Sequence, residues 1–206
     1  MYTVRPPLLF RWLQGEYLVC SLPADRKEIF LTFDDGPVHE VTPDVLGILK
    51  EKNAKATFFC VGENVRKHPG VFLKIRDEGH AIGNHTYNHL NGWKTPPGEY
   101  AGNVMRCEEL FHTMLFRPPY GRFTPSQFFI LRKKFRFILW SVLSMDFLKG
   151  TYPEKCLRIV LDNTSAGSIV VFHDSLKAKE NLFSVLPGFL DHFQKKGFSF
   201  LTIPGG

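Results

Sequence analysis

Ile29-Phe30-Leu31-Thr32-Phe33-Asp34-Asp35-Gly36-Pro37 is an apolar run that stops at two adjacent carboxylates. Four large apolar side chains around one threonine suit a strand covered on both faces, as strands of a parallel sheet are. The Gly-Pro pair then breaks the run. Working outward, similar runs predict strands over 56–61, 81–84, 136–142, 168–173 and 198–202, with a weaker seventh over 115–117. Amphipathic stretches between them predict helices over 42–51, 64–78, 99–115, 125–134, 153–164 and 184–196. Thr42 before Pro43 reads as a helix cap ahead of a first-turn proline. Lys195-Lys196-Gly197 and Glu78-Gly79 read as helix ends closed by glycine.

Strand–helix alternation predicts an α/β fold with a largely parallel sheet, either open and doubly wound or closed into a barrel. The polar residues favour the barrel. Asp34-Asp35, Cys60-Val61, His85, Arg117, Ser141 and His173 all fall at strand C-termini, where a barrel gathers its chemistry. No glycine-rich phosphate loop opens a helix, which argues against a nucleotide site at a switch point.

The 206 residues suit one large domain, and 44% hydrophobic with 22% charged residues is enough to bury a core. Residues 1–26 are expected to be an N-terminal extension packed on a domain spanning 27–206. Its Leu8, Leu9, Phe10 and Trp12 could lie on a surface. Prolines and arginines interrupt this stretch, so it has no secretory core, and no run approaches the ~18–20 apolar residues of a membrane span. The large residues Tyr17-Leu18-Val19 before Cys20 do not suit a lipoprotein-type cleavage site. Net charge is +6, but the basic residues are scattered, with Arg132-Lys133-Lys134 the one short run, so no nucleic-acid module is expected. Cys20, Cys60, Cys107 and Cys156 form no C-x-x-C pair and read as buried free thiols. They and the missing leader favour a reducing compartment such as the cytoplasm, and leave the compartment open.

His85-Thr86-Tyr87-Asn88-His89 offers two imidazoles, and Asp34-Asp35 offers one carboxylate for a divalent metal and a second to act as a base. The spacing of two histidines alone is a weak signal; beside an Asp-Asp pair at a strand end it points to a metal site. Arg117-Pro118-Pro119-Tyr120-Gly121 is a stiff turn led by an arginine able to clamp a carboxylate. Residues 169–174 end a buried-looking strand in His173, placed for acid–base work. Residues 140–147 close another strand with Trp140, Asp146 and Phe147.

These segments, with the supporting stretches 54–59 and 79–85, resemble the polysaccharide deacetylases of carbohydrate esterase family 4 over residues 28–203. The resemblance implies a distorted (β/α) barrel of seven strands with its active site at the strand C-terminal ends. It implies a hydrolase that removes acetyl groups from N-acetylated sugars, such as N-acetylglucosamine units of peptidoglycan or chitin-like oligomers. Asp35, His85 and His89 would ligate one divalent metal, Zn2+ first, with Co2+, Mn2+ or Ni2+ as alternatives. Asp34 would be the general base, oriented by Arg117, and His173 the general acid. The backbone N–H of Tyr120 would stabilise the oxyanion, with Trp140, Phe147, Asp146 and Val171 around the substrate.

One motif departs from the family's D-x-x-D-W. Aligned on Asp146, this chain reads Leu143-Ser144-Met145-Asp146-Phe147, with leucine where the family's first aspartate contacts the catalytic histidine. Leucine cannot steady an imidazolium, so the acid is expected to be weaker unless Asp146, Asp174 or Ser141 takes the role. Val171 replaces a leucine and would widen the pocket floor. Two other readings stand beside the deacetylase: an O-acetyl esterase on acetylated glycans, and a glycan-binding relative that has lost turnover. Neither the particular glycan nor the oligomeric state follows from the sequence.

Overall fold

Alternation along the carboxylate-bearing strand sorts its side chains into two layers. In the computed structural model, which describes residues 3–205, this strand is β2 (Glu28–Asp34). Ile29, Leu31 and Phe33 point outward into the main core beneath the helices, whereas Phe30 packs in a smaller interior core with Phe59, Leu115 and Ile138. Thr32 and Asp34 share the face of Phe30, because side chains two apart on a strand point the same way.

Before β2 come α1 (Leu8–Trp12) and the short β1 (Leu18–Val19). After it follow α2 (Thr42–Glu51), β3 (Thr57–Cys60), α3 (Gly62–Lys67), α4 (Pro69–Asp77) and β4 (Ala81–Asn84). The middle of the chain adds α5 (Pro97–Glu108), β5 (Leu115–Phe116), α6 (Pro125–Leu131), β6 (Arg136–Ile138) and β7 (Val142–Leu143). The last third supplies α7 (Pro153–Asn163), β8 (Ile169–His173), α8 (Lys179–Lys195) and β9 (Ser199–Leu201).

The ladder runs β1-β6-β5-β4-β3-β2-β8-β7, all neighbours parallel, with β9 paired to β2. β6 pairs with β5 and β7 pairs with β8, so the chain from 136 to 143 crosses from one side of the ladder to its far end, and the curved sheet has the form of a distorted α/β barrel. β1 wedges in beside β6, and a bridge from Ser21 to Ser168 ties it towards β8.

Among the described residues nine strands stand where seven were expected: residues 136–142 split into β6 and β7, and two-residue β1 is too short to show a period. The expected helix over 64–78 breaks into α3 and α4, because the ring of Pro69 cannot accommodate a helical His68, whose φ/ψ is −128/55. Thr42 is not the cap of α2. Val41 holds that position, and the Thr42 hydroxyl instead bridges the Val38 amide and the Asp174 carboxylate. Gly79 and Gly197 do take the left-handed conformation that ends a helix, with φ of 74° and 80°. All four cysteines are buried and free. Among the described residues no helix is long and apolar enough to cross a membrane.

Candidate active site

β2 delivers Asp34 to the rim of the barrel interior, and the chain then turns sharply. Asp35 has φ of 78°, a conformation costly for a side chain other than glycine, so the surroundings must enforce it. They do so from two sides. The Asn64 amide donates to the Asp35 carbonyl at 2.7 Å. The buried Asp174 carboxylate accepts the Gly36 N–H at 3.1 Å and the Thr42 hydroxyl at 2.6 Å. A Cβ at Gly36 would overlap that carboxylate, so glycine is required there by close approach.

The two histidines sit on a tight loop after β4. Thr86 and His89 both have positive φ, 64° and 55°, and the loop is held by side chains. Asn84 Oδ1 accepts the Thr86 N–H, and Asn103 Oδ1 accepts those of Tyr87 and Asn88. His85 Nδ1 lies 2.7 Å from the Arg117 carbonyl. A carbonyl only accepts, so Nδ1 carries the proton and Nε2 presents its lone pair. That nitrogen is 3.7 Å from Asp35 Oδ1, and His89 Nε2 is 3.1 Å from the same oxygen.

The ligand atoms of Asp35, His85 and His89 lie within 4.8 Å of one another. Two imidazole nitrogens and one carboxylate oxygen, with a carbonyl fixing one tautomer, fit a catalytic zinc that keeps open positions. Charge agrees with the fit. Burial pushes His85 down to about 4, against the opposing pull of Asp34, so it is neutral as a ligand must be. Burial alone would raise Asp35, but its hydrogen bond to His89 and the charges of neighbouring imidazoles bring its carboxyl well below the usual range.

Arg117, 1% exposed, crosses the barrel interior to reach Asp34. Its NH1 donates to Asp34 Oδ1 and to Thr32 Oγ1, each at 2.7 Å. Its Nε and NH2 donate to the carbonyls of Ile138 and Leu139, and its guanidinium lies 4.0 Å from the Phe59 ring centroid. Several N–H donors are thus satisfied, as burial of the cation demands.

His173 faces the cleft with Phe147 packed at 4.5 Å between ring centroids. Asp146 holds it twice: Oδ1 is 2.8 Å from Nδ1 and Oδ2 accepts the His173 backbone N–H at 2.8 Å. Burial would lower the imidazole's pKa, but Asp146, with smaller help from Asp35 and Asp34, lifts it to about 9. Of the three residues that could stand in for the aspartate missing at Leu143, Asp146 is the one that reaches His173. Asp146 itself occupies the supporting position, and Leu143 packs with Met145 and Val171 in an apolar wall. Of the other candidates, Asp174 is turned towards Gly36 and Thr42, and Ser141 bonds the backbone of Ile169.

The groups converge on a cleft of about 460 Å³. Tyr120, Trp140, Phe147 and Val171 line it, together with Leu143. Asp146, expected among the substrate contacts, is fully buried behind His173 instead. Tyr120 has φ of 61°, and its ring packs edge-on against His89 at 4.7 Å. Sequence reasoning gave no site role to Thr32, Thr42 or Asn64, and did not anticipate what Asp174 holds. Thr32 could have been found, since it shares a strand face with Asp34. The others act across long separations in sequence and leave no local pattern.

Comparison with known proteins gives the chain a family. The family model for polysaccharide deacetylase matches residues 21–134. A peptidoglycan-N-acetylglucosamine deacetylase of Bacillus cereus is 35% identical over 203 residues, covering 95% of this chain and 74% of its own length. A chitooligosaccharide deacetylase of Azorhizobium caulinodans is 32% identical, covering 76% of this chain and 78% of its own. The crystal structure of the Bc1960 peptidoglycan N-acetylglucosamine deacetylase, bound to 4-naphthalen-1-yl-N-oxidanyl-benzamide, superposes with a TM-score of 0.86 at 35% identity, covering 90% of each chain. The chain is a member of the polysaccharide deacetylase family of hydrolases.

Proposed function

We propose that this protein is a metal-dependent N-deacetylase acting on glycans that contain N-acetylglucosamine. One observation carries the reading: a single cleft holds the Asp35–His85–His89 cage with Asp34 and His173 beside it. The relatives named for peptidoglycan and chitooligosaccharide deacetylation support the substrate class. The N-hydroxybenzamide carried by the Bc1960 structure is a chelating group, which supports the metal.

A divalent ion in the cage supplies Lewis acidity and lowers the pKa of a water. Asp34, anchored through Oδ1 to Arg117, takes a proton from the attacking water. The Tyr120 backbone amide donates to the oxygen that gains charge as the tetrahedral centre forms; losing such a donor typically costs about 3 kcal/mol. His173, engaged through Nδ1 by Asp146, uses Nε2 to protonate the departing nitrogen. This step matters because an amine leaves only as its neutral, protonated product. Trp140, Leu143, Phe147 and Val171 form an apolar recess that suits the acetyl methyl and thins the water around it.

Acetate release tests the reading, using N-acetylglucosamine oligomers and acetylated xylan, before and after chelator treatment and zinc re-addition, with bound zinc measured by elemental analysis. Release from the oligomers that disappears on stripping and returns with zinc is expected. Release from xylan alone would replace the reading with an O-acetyl esterase, and zinc binding without any release would replace it with a glycan-binding relative.

A further inference from the structure

Two loops leave the active site side by side, one running from His89 to Trp93 and the other from Tyr120 to Arg122. Trp93 is 65% exposed, which taken alone is an ordinary surface aromatic. Its mounting is not ordinary. Asn91 Oδ1 accepts its backbone N–H at 3.0 Å, and its indole N–H donates to the Phe123 carbonyl at 3.2 Å. Behind it the fully buried Gln127 side chain donates to the carbonyls of Gly92 and Thr95 and accepts the Thr124 N–H. A Cβ at Gly92 would overlap the Arg122 carbonyl and the Gln127 amide, so the two loops are locked in close contact. The indole is therefore rigid as well as exposed, and a rigid aromatic face loses little entropy when something flat stacks on it.

Arg122 connects this platform to the cleft. Its guanidinium carbon lies 4.8 Å from the Trp93 ring centroid and 6.0 Å from that of Tyr120, which in turn packs on His89. Among the described residues the Arg122 guanidinium has no carboxylate partner and no hydrogen-bond acceptor. Stacking uses the faces of the group and leaves its N–H edges for a planar acceptor, the geometry that suits a carboxylate. Lys94 follows Trp93 in the chain and adds a second cation to this loop pair.

We propose that Trp93 and Arg122 form a glycan subsite outside the acetyl recess, in which the indole stacks on the sugar next to the one deacetylated and the guanidinium binds a carboxylate carried by that sugar or its substituent. The proposal rests on the deacetylase reading and narrows it: the preferred substrate is an acidic N-acetylated polymer rather than a neutral one.

Three tetrasaccharides of equal length test it: an N-acetylglucosamine tetramer, one alternating N-acetylglucosamine with its 3-O-lactyl ether, and the same lactyl tetramer with its carboxylates amidated. Wild type, Trp93→Ala, Trp93→Phe, Arg122→Gln and Arg122→Lys are compared by kcat and KM, with thermal midpoints confirming the fold. Wild type is expected to prefer the carboxylate form over its amidated twin by about tenfold in kcat/KM, equivalent to about 1.4 kcal/mol. Arg122→Gln should abolish that preference through KM, with Arg122→Lys restoring part of it. Trp93→Ala should raise KM for all three tetramers by about tenfold, with Trp93→Phe recovering most of the loss. Equal wild-type kcat/KM for the carboxylate and amidated forms overturns the carboxylate assignment, and an unchanged KM in folded Trp93→Ala overturns the platform. Absence of acetate release from every tetramer by zinc-loaded wild type would instead overturn the deacetylase reading itself.

Discussion

Asp34 and His173 are register partners on adjacent parallel strands, the last residues of β2 and β8. Strand spacing alone, about 4.8 Å, therefore fixes the separation of their backbones. The carboxylate that accepts a proton in the proposed reaction and the imidazole that donates one are thus held at one level of the barrel rim. The donor's proton sets the alkaline limit. With its pKa raised to about 9, His173 keeps its proton through neutral pH and loses it as pH rises past that value. The kcat/KM profile for an N-acetylglucosamine oligomer should stay high at neutral pH and fall above about pH 9. A rate still rising at pH 10 would remove His173 from the acid role.

Asp146 holds His173 by two hydrogen bonds, so Asp146→Asn should lower kcat by about 10–100-fold with a smaller effect on KM. The alkaline limb should also move to lower pH, because the charge that favours the imidazolium is gone. Leu143→Asp should fail to raise activity, since the supporting place is filled and the new carboxylate would be buried among Met145 and Val171. Steady-state kinetics across pH on the three proteins decides this.

Asp34 stands beside the proposed metal cage without belonging to it. Asp34→Asn should retain one zinc per chain by elemental analysis and lose about 10²–10⁴-fold in turnover, the usual worth of a positioned base. His89→Ala should lose both the zinc and the turnover. Near-normal turnover in Asp34→Asn would show that another group accepts the proton.

Arg117 carries the buried half of an ion pair and reaches the carbonyls of two further residues. Replacing it with methionine strands the Asp34 carboxylate and those carbonyls, and should cost about 3–5 kcal/mol in a urea titration. The doubly substituted Arg117→Met/Asp34→Asn protein should recover part of that loss. No recovery would mean that the carbonyl contacts, rather than the pair, dominate.

His80 gives a separate pH signature. Burial, helped by Lys55, pushes its imidazole down to about 4, and Nδ1 accepts the Ala56 N–H at 3.2 Å. The unfolded chain binds this proton near pH 6.5 and the folded chain does not, so stability is full above 6.5 and falls as pH drops towards 4. The thermal midpoint should decline across that window, and the decline should be shallower in His80→Gln.

The candidate cage of Asp35, His85 and His89, with Asp34 beside it, was legible because each part lies in a short contiguous pattern, residues 29–37 and 85–89. The strand–helix alternation was legible for the same reason: a period shows in a few residues. What escaped the sequence depends on distant segments meeting. Asp174 reaches Gly36 and Thr42 from the far end of the chain, and nothing in the stretch around residue 36 announces it. The support of His173 was legible only as a choice among Asp146, Asp174 and Ser141, because which of them meets the imidazole depends on how separate strands and turns come together. Two-residue strands such as β1 are set by partners rather than by their own composition.

The seam where β6 gives way to β7 looks like a defect in the barrel. An unbroken strand there would spend the carbonyls of Ile138 and Leu139 on a neighbouring strand, and they serve Arg117 instead. A protein engineer who smoothed this sheet for robustness would therefore evict the cation on which Asp34 leans, and would gain a tidier, inert scaffold.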